Sequence, residues 1–175
     1  MKAIVVYGTR YGSTPKVAEE IAAVLREGGI EAEAFDAARH PPPPAGYDLV
    51  IVGSAIRNDT WTKETLSYLK NHRPALAGCR VALFACCATV LSPNLTPKIR
   101  IKYLEDVVRK NLSRPPIATG LFGGCFDFRG RHGIMYSLTS GAFMKDLAAR
   151  GMDVYGICDF RDWDAIRAWA RTLIV

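Results

Sequence analysis

The sequence predicts a doubly wound α/β fold, a five-stranded parallel sheet with helices on both faces. Two observations predict it. Apolar runs bounded by turn residues recur along all 175 residues, several of them apolar at nearly every position, as strands covered on both faces require. Between them lie segments whose apolar residues repeat at helical spacing, so strand and helix alternate throughout. A chain of this length, 49% hydrophobic, can bury one sizeable core, and residues 1–175 are expected to form one domain.

The first strand is "AIVVYG" (3–8). It feeds a helix marked by Val17, Ile21, Val24 and Leu25 and stopped at Gly28-Gly29. "AEAFD" (32–36) and "DLVIVGS" (48–54) follow as strands. The four prolines of "RHPPPPAGYD" make the link between them a stiff extended connection rather than a domain boundary. Leu66 and Leu69 mark a helix ending before Pro74, "VALFACC" (81–87) is the fourth strand, and Ile101, Leu104, Val108 and Leu112 mark a further helix. "IATGLFGG" (117–124) and "VYGICD" (154–159) read as two strand segments separated by an insertion over 123–153. Within it Ile134, Met135, Leu138, Phe143 and Leu147 carry a helical stripe. Trp163, Ile166, Ala170 and Leu173 mark the last helix, entered through Asp162 as its cap.

Composition excludes several classes. No 18-residue apolar segment is present to span a membrane, and the start "MKAIVVYGT" is too short for a secretory signal. Five cysteines (Cys79, Cys86, Cys87, Cys125, Cys158) without CxxC spacing argue against a disulfide framework or zinc site and for a cytoplasmic setting. His40, His72 and His132 share no ligand spacing. The formal charge of +6 is concentrated: residues 97–150 hold ten Lys/Arg against four Asp/Glu. Such a field attracts anionic lipid, an acidic substrate or an acidic protein, or it is simply a solvated face. No helix-turn-helix, zinc-finger or RNP signature organises it for specific nucleic-acid binding.

The turn after the first strand carries the strongest chemical signal. Thr9-Arg10-Tyr11-Gly12-Ser13-Thr14 offers consecutive backbone N–H groups and three hydroxyls ahead of Pro15, with Thr14 as the expected helix cap. The helix dipole adds partial positive charge there, which suits a phosphate. The loop has neither the GK[ST] ending of a triphosphate loop nor GxGxxG, so a terminal monoester phosphate is the better match.

On these residues a resemblance can be stated. "TRYGST" (9–14) resembles the FMN-phosphate loop of flavodoxins, and "YDLVIVGSAI" (47–56) resembles the third strand leading to their first flavin-ring loop. "VGSAIR" (52–57) and "DWDAIRAWAR" (162–171) make the chain most similar, within that flavodoxin-like group, to the menaquinone-dependent protoporphyrinogen oxidases. The resemblance implies strand order 2-1-3-4-5, with the insertion interrupting the last strand, and FMN as cofactor. It implies a ring site bordered by Ser54, Ala55, Ile56, Arg57 and Trp61 and by Cys86, Cys87, Ala88 and Thr89. Trp61 is expected either to face the flavin ring or to anchor the next helix. The loop "CCATVLSPNLTP" (86–97) holds no aromatic residue, which departs from common flavodoxins and leaves one ring face open to a flat partner. Arg57 replaces their acidic rim with a cation that favours an anionic reduced ring, unless it only pairs with Asp59 or Asp48.

Two functions of different class follow. The first is an FMN-dependent oxidoreductase resembling protoporphyrinogen oxidase, passing electrons from a reduced substrate to a quinone, with Arg129 and Arg131 meeting substrate carboxylates. It would be cytoplasmic, with contact between region 97–150 and the inner face of the membrane. The second is an electron-transfer flavodoxin that docks an acidic redox protein, and an FMN-dependent quinone or NAD(P)H reductase lies between them. Adjacent Cys86 and Cys87 should point to opposite faces of the sheet and serve as packing residues rather than as redox thiols.

Overall fold

The computed structural model describes residues 1–10, 12–87, 96–127, 145, 148, 149, 151 and 156–174. Its elements run β1 (Lys2–Gly8), α1 (Thr14–Glu27), β2 (Glu31–Asp36), β3 (Leu49–Arg57), β4 (Thr60–Trp61), α2 (Lys63–Asn71), α3 (Arg73–Leu76) and β5 (Arg80–Cys86). They continue as α4 (Thr96–Arg100), a π turn (Ile101–Glu105), α5 (Asp106–Asn111), β6 (Ala118–Phe122), β7 (Cys125–Asp127), β8 (Ile157–Asp159) and α6 (Trp163–Arg171). The main sheet has the order β2-β1-β3-β5-β6, all parallel, with the two-residue β4 folded antiparallel onto the end of β3. Setting β4 aside, this is the expected 2-1-3-4-5 arrangement.

Strand alternation divides the core in two. Ala3, Val5, Leu49, Ile51 and Phe84 face α1 and α6, where Val17, Ile21, Leu25, Ile166 and Leu173 meet them. Ile4, Val6, Val50, Val52 and Leu83 face the other layer and pack on Leu69, Leu104 and Val107. Both faces are therefore apolar, which is why these strands read as unbroken apolar runs. Each fully buried Ile or Leu contributes about 1.5–3 kcal/mol relative to exposure.

Two local readings change, and a third gains detail. The helix expected around 101–112 carries a π turn at Ile101–Glu105, so its stripe shifts: Ile101 is exposed, while Tyr103, Leu104, Val107 and Leu112 are buried. Among the described residues the main sheet ends at β6. The residues Ile157–Asp159, read as resuming a strand, instead pair antiparallel with Cys125–Asp127, so the interruption lies between β7 and β8. The proline-rich connection carries a 3-10 turn at Ala37–Arg39 and is tied to α2 by Tyr68, whose hydroxyl donates to the Pro42 carbonyl at 3.1 Å.

Candidate functional site

Strand order reverses between β1 and β3, and that reversal builds the site. The chain leaves β1 toward β2 on one side and returns at β3 on the other, which opens a crevice beyond their carboxyl ends. Register brings the candidate loops together: Gly8 pairs with Ser54, and Ala55 with Cys86. Loop 9–14, the turn after β3 and the end of β5 therefore share one rim.

The helix start within loop 9–14 carries no side-chain cap. Helix α1 starts at Thr14, so the cap position falls to Ser13 rather than to Thr14 as expected. Ser13 has right-handed helical dihedrals, makes no side-chain cap bond, and no acidic residue sits in the first turn. Helix α6 differs, since the Asp162 carboxylate accepts from the Ala165 N–H at 2.9 Å. Thr14 is fully buried, and its Oγ1 finds no hydrogen-bond partner among the described residues. A buried hydroxyl left unpaired costs stability unless something fills the place. Gly12 has φ +78°, and a Cβ there would meet nothing within 4 Å, so the loop is open on that side. The Thr9 hydroxyl accepts from the Gly12 N–H at 3.0 Å and closes the turn. Arg10 reaches across to Glu64 of α2 at 3.3 Å. An orphaned buried hydroxyl beside an uncapped helix start is a donor set suited to a phosphate.

The second rim is a tight hairpin that no motif in the sequence announced. Asn58 and Asp59 both have positive φ (47° and 63°), and they join β3 to β4 as a two-residue turn pairing Arg57 with Thr60 and Ile56 with Trp61. The Asn-Asp pair, flanked by Arg57 and Thr60, was the one available signal. Asp59 is held by the Lys102 ammonium and the Tyr103 hydroxyl from the π turn. Arg57 is exposed at the hairpin's entry, whereas Ala55 and Ile56 are half-buried.

Two predicted residues are committed to packing. Ser54 is buried, donates to the Ala55 carbonyl and accepts from the Thr62 N–H, both at 2.9 Å. Trp61 is 2% exposed, and its Nε1–H donates to the Tyr103 carbonyl at 2.7 Å. This ties its indole to the π turn rather than to the helix that follows it. Cys86 and Cys87 pack into opposite cores, as their alternation predicts, and burial raises the Cys86 thiol pKa far above its ordinary range. Tyr11, Ala88, Thr89, Arg129 and Arg131 lie outside the described residues.

Arg161, between β8 and α6, also reaches this rim, and it belongs to no motif in the sequence. Its side chain is only 6% exposed and forks onto Asp159, with Nε–Oδ1 2.7 Å and Nη2–Oδ2 2.5 Å. Its Nη1 lies 3.5 Å from the Ser13 carbonyl, and the guanidinium stacks on Trp163 at 4.6 Å. The pairing holds the Asp159 carboxyl below the usual carboxylate range. Among the described residues no His/Cys/Asp/Glu cluster is arranged to hold a metal, and no helix is long and apolar enough to cross a membrane.

Comparison with known proteins agrees with this geometry. Over 174 residues the chain is 29% identical to the protoporphyrinogen IX dehydrogenase [quinone] of Escherichia coli strain K12, covering 99% of this chain and 94% of that one. Oxidised flavodoxin 1 from Bacillus cereus superposes with a TM-score of 0.53 at 21% identity, over 71% of this chain and 85% of the other. Two-electron reduced Megasphaera elsdenii flavodoxin gives 0.52 at 17% identity, over 68% and 84%. The family model described as flavodoxin domain matches residues 4–130. The strand order and this match agree: the chain belongs to the flavodoxin domain family and is an FMN flavoprotein of the oxidoreductase class.

Proposed function

We propose that this protein takes electron pairs from a porphyrinogen-like donor and passes them through FMN to a quinone. The observation that carries the reading is the extent of its similarity to the E. coli dehydrogenase, which continues past residue 130, where the flavodoxin family model ends. FMN, when bound, supplies the hydride and electron chemistry; the protein holds it and tunes it.

The loop Thr9, Arg10, Tyr11, Gly12, Ser13 and Thr14 would hold the phosphate, with the Thr14 hydroxyl and unpaired backbone N–H groups of the helix start as donors. Ser54, Ala55, Ile56 and Arg57, together with Cys86, Cys87, Ala88 and Thr89, would hold the ring. Trp61 supports this rim from beneath, because its indole is already seated in the core. Arg57 places a cation at the hairpin, where it favours negative charge on a reduced ring and so the transfer of electrons in pairs. Arg129 and Arg131 meet the donor's carboxylates by forked hydrogen bonds.

Stepwise anaerobic reduction of the FMN-loaded protein, followed by its visible spectrum, tests this together with a quinone-reduction assay on a porphyrinogen donor. The expected result is direct passage from oxidised to fully reduced flavin, with donor-dependent quinone turnover. A strong long-wavelength band midway and no turnover would instead identify a one-electron carrier.

A further inference from the structure

We infer that Arg161 is a cofactor-positioning residue, clasping the phosphate loop to the β7–β8 pair through the Ser13 carbonyl. The inference rests on the reading of loop 9–14 as the phosphate site. Arg161 lies past the matched residues 4–130, so it is a feature of this chain beyond the family's own domain model.

A guanidinium only 6% exposed needs partners on every side, and each one here belongs to a different element. Asp159 of β8 takes two of its N–H groups in a fork, and the Arg161 backbone N–H donates to the same carboxylate at 3.1 Å. Trp163 of α6 covers its face. The Ser13 carbonyl, at 3.5 Å, belongs to the residue standing at the start of α1. Cys125 of β7 and Cys86 of β5 are within its electrostatic reach, and Lys16 of α1 acts favourably on Asp159. β7 and β8 pair with Cys125 opposite Asp159, and the chain departs for 128–156 and returns at the far end of the same pair, between Asp127 and Ile157. The guanidinium is thus a rigid spacer between that pair and the cradle.

The physical consequence is orientation. Drawing the Ser13 carbonyl toward β8 turns the adjoining peptide so that its N–H faces the opposite way, toward the phosphate position. Because Asp159 offsets the charge, Arg161 contributes little net field, and its effect comes from the fork's geometry. A lysine offers one point charge and no fork, so it cannot reproduce that geometry.

Wild-type apoprotein and the variants R161A, R161K and D159N are titrated with FMN and with riboflavin by quenching of flavin fluorescence, with circular dichroism as the folding check. Riboflavin lacks the phosphate, so it reports the ring site alone. R161A should weaken FMN about tenfold, because the peptide N–H adjoining the Ser13 carbonyl is no longer held toward the phosphate, while riboflavin changes by less than about twofold. R161K should remain near R161A, and D159N should also weaken FMN, because the fork is unmoored. Wild-type FMN affinity in R161A or R161K overturns the inference. So does tighter FMN binding in D159N, the result expected of a freed charge, or equal losses for FMN and riboflavin. Should R161A fail the folding check, R161K and D159N decide. A wild type that binds riboflavin as tightly as FMN removes the phosphate-loop reading itself, and the inference with it.

Discussion

A single buried oxygen says most about the site. Thr14 Oγ1 is inside the protein, beside an uncapped helix start, with no partner among the described residues. Threonine and valine have nearly the same shape, so Thr14→Val keeps the packing and removes only the orphan hydroxyl. Apoprotein stability should therefore hold or rise slightly in a thermal melt. FMN affinity should fall about tenfold or more in the same variant, with riboflavin affinity unchanged, as expected for losing a hydrogen bond to a charged phosphate. Arg10 and Ser54 teach the converse. Both are polar residues in the right loops, yet Arg10 is engaged by Glu64 and Ser54 by Ala55 and Thr62. Cys86 belongs with them, for its buried thiol is held in the protonated, unreactive form.

At the scale of elements, the rim depends on close backbone approach at strand ends. Gly8 ends β1 where a Cβ would stand 2.0 Å from Thr62 Oγ1 at the start of α2, so the loop after β1 can lie against that helix only with glycine there. Gly53 lies opposite Phe84 in the β3–β5 pairing, and a Cβ would stand 2.0 Å from the fully buried ring. Phe84 is also wedged against Phe122 and Trp169, with ring centroids at 6.0 and 6.3 Å, and has little room to retreat. Gly53→Ala should cost about 1–3 kcal/mol, read as a lower urea midpoint with unchanged slope. The hairpin at Asn58-Asp59 and the π turn at Ile101–Glu105 act as one unit. Asp59 is gripped by Lys102 and Tyr103, and Trp61 donates to the Tyr103 carbonyl, so the ring-side rim is braced by a helix distant in sequence.

For the whole molecule, the charge distribution is the property that outlasts any single contact. The entire excess of +6 falls within residues 97–150, between the fourth strand and the last helix. A positive field of this kind attracts anionic surfaces in proportion to screening. The protein should co-sediment with vesicles containing anionic phosphatidylserine at low ionic strength. It should be released near 1 M salt, where the screening length is about 3 Å. Binding indifferent to salt, or none at low salt, would remove the expected contact between region 97–150 and a membrane surface.

The sequence by itself determined the layered sheet, because a parallel strand buried on both faces must be apolar at every position and a helix between strands must repeat at its own period. It also carried the expectation of a phosphate loop, since glycine, hydroxyls and a proline-started helix are local features in consecutive residues. The structure alone decided which side chains are free to act. Trp61 reads equally well as ring contact or anchor from its position in the sequence, whereas the fold buries it to 2% exposure and has its indole N–H donate to the carbonyl of Tyr103, 42 residues away. Arg161 has no motif because its meaning lies in Ser13, 148 residues distant. The π turn changed which face of one helix is buried, since a single wide turn rotates everything after it. Local rules set elements and loops. Long-range packing sets commitment, because a hydrogen bond already made within the fold is not available to a ligand.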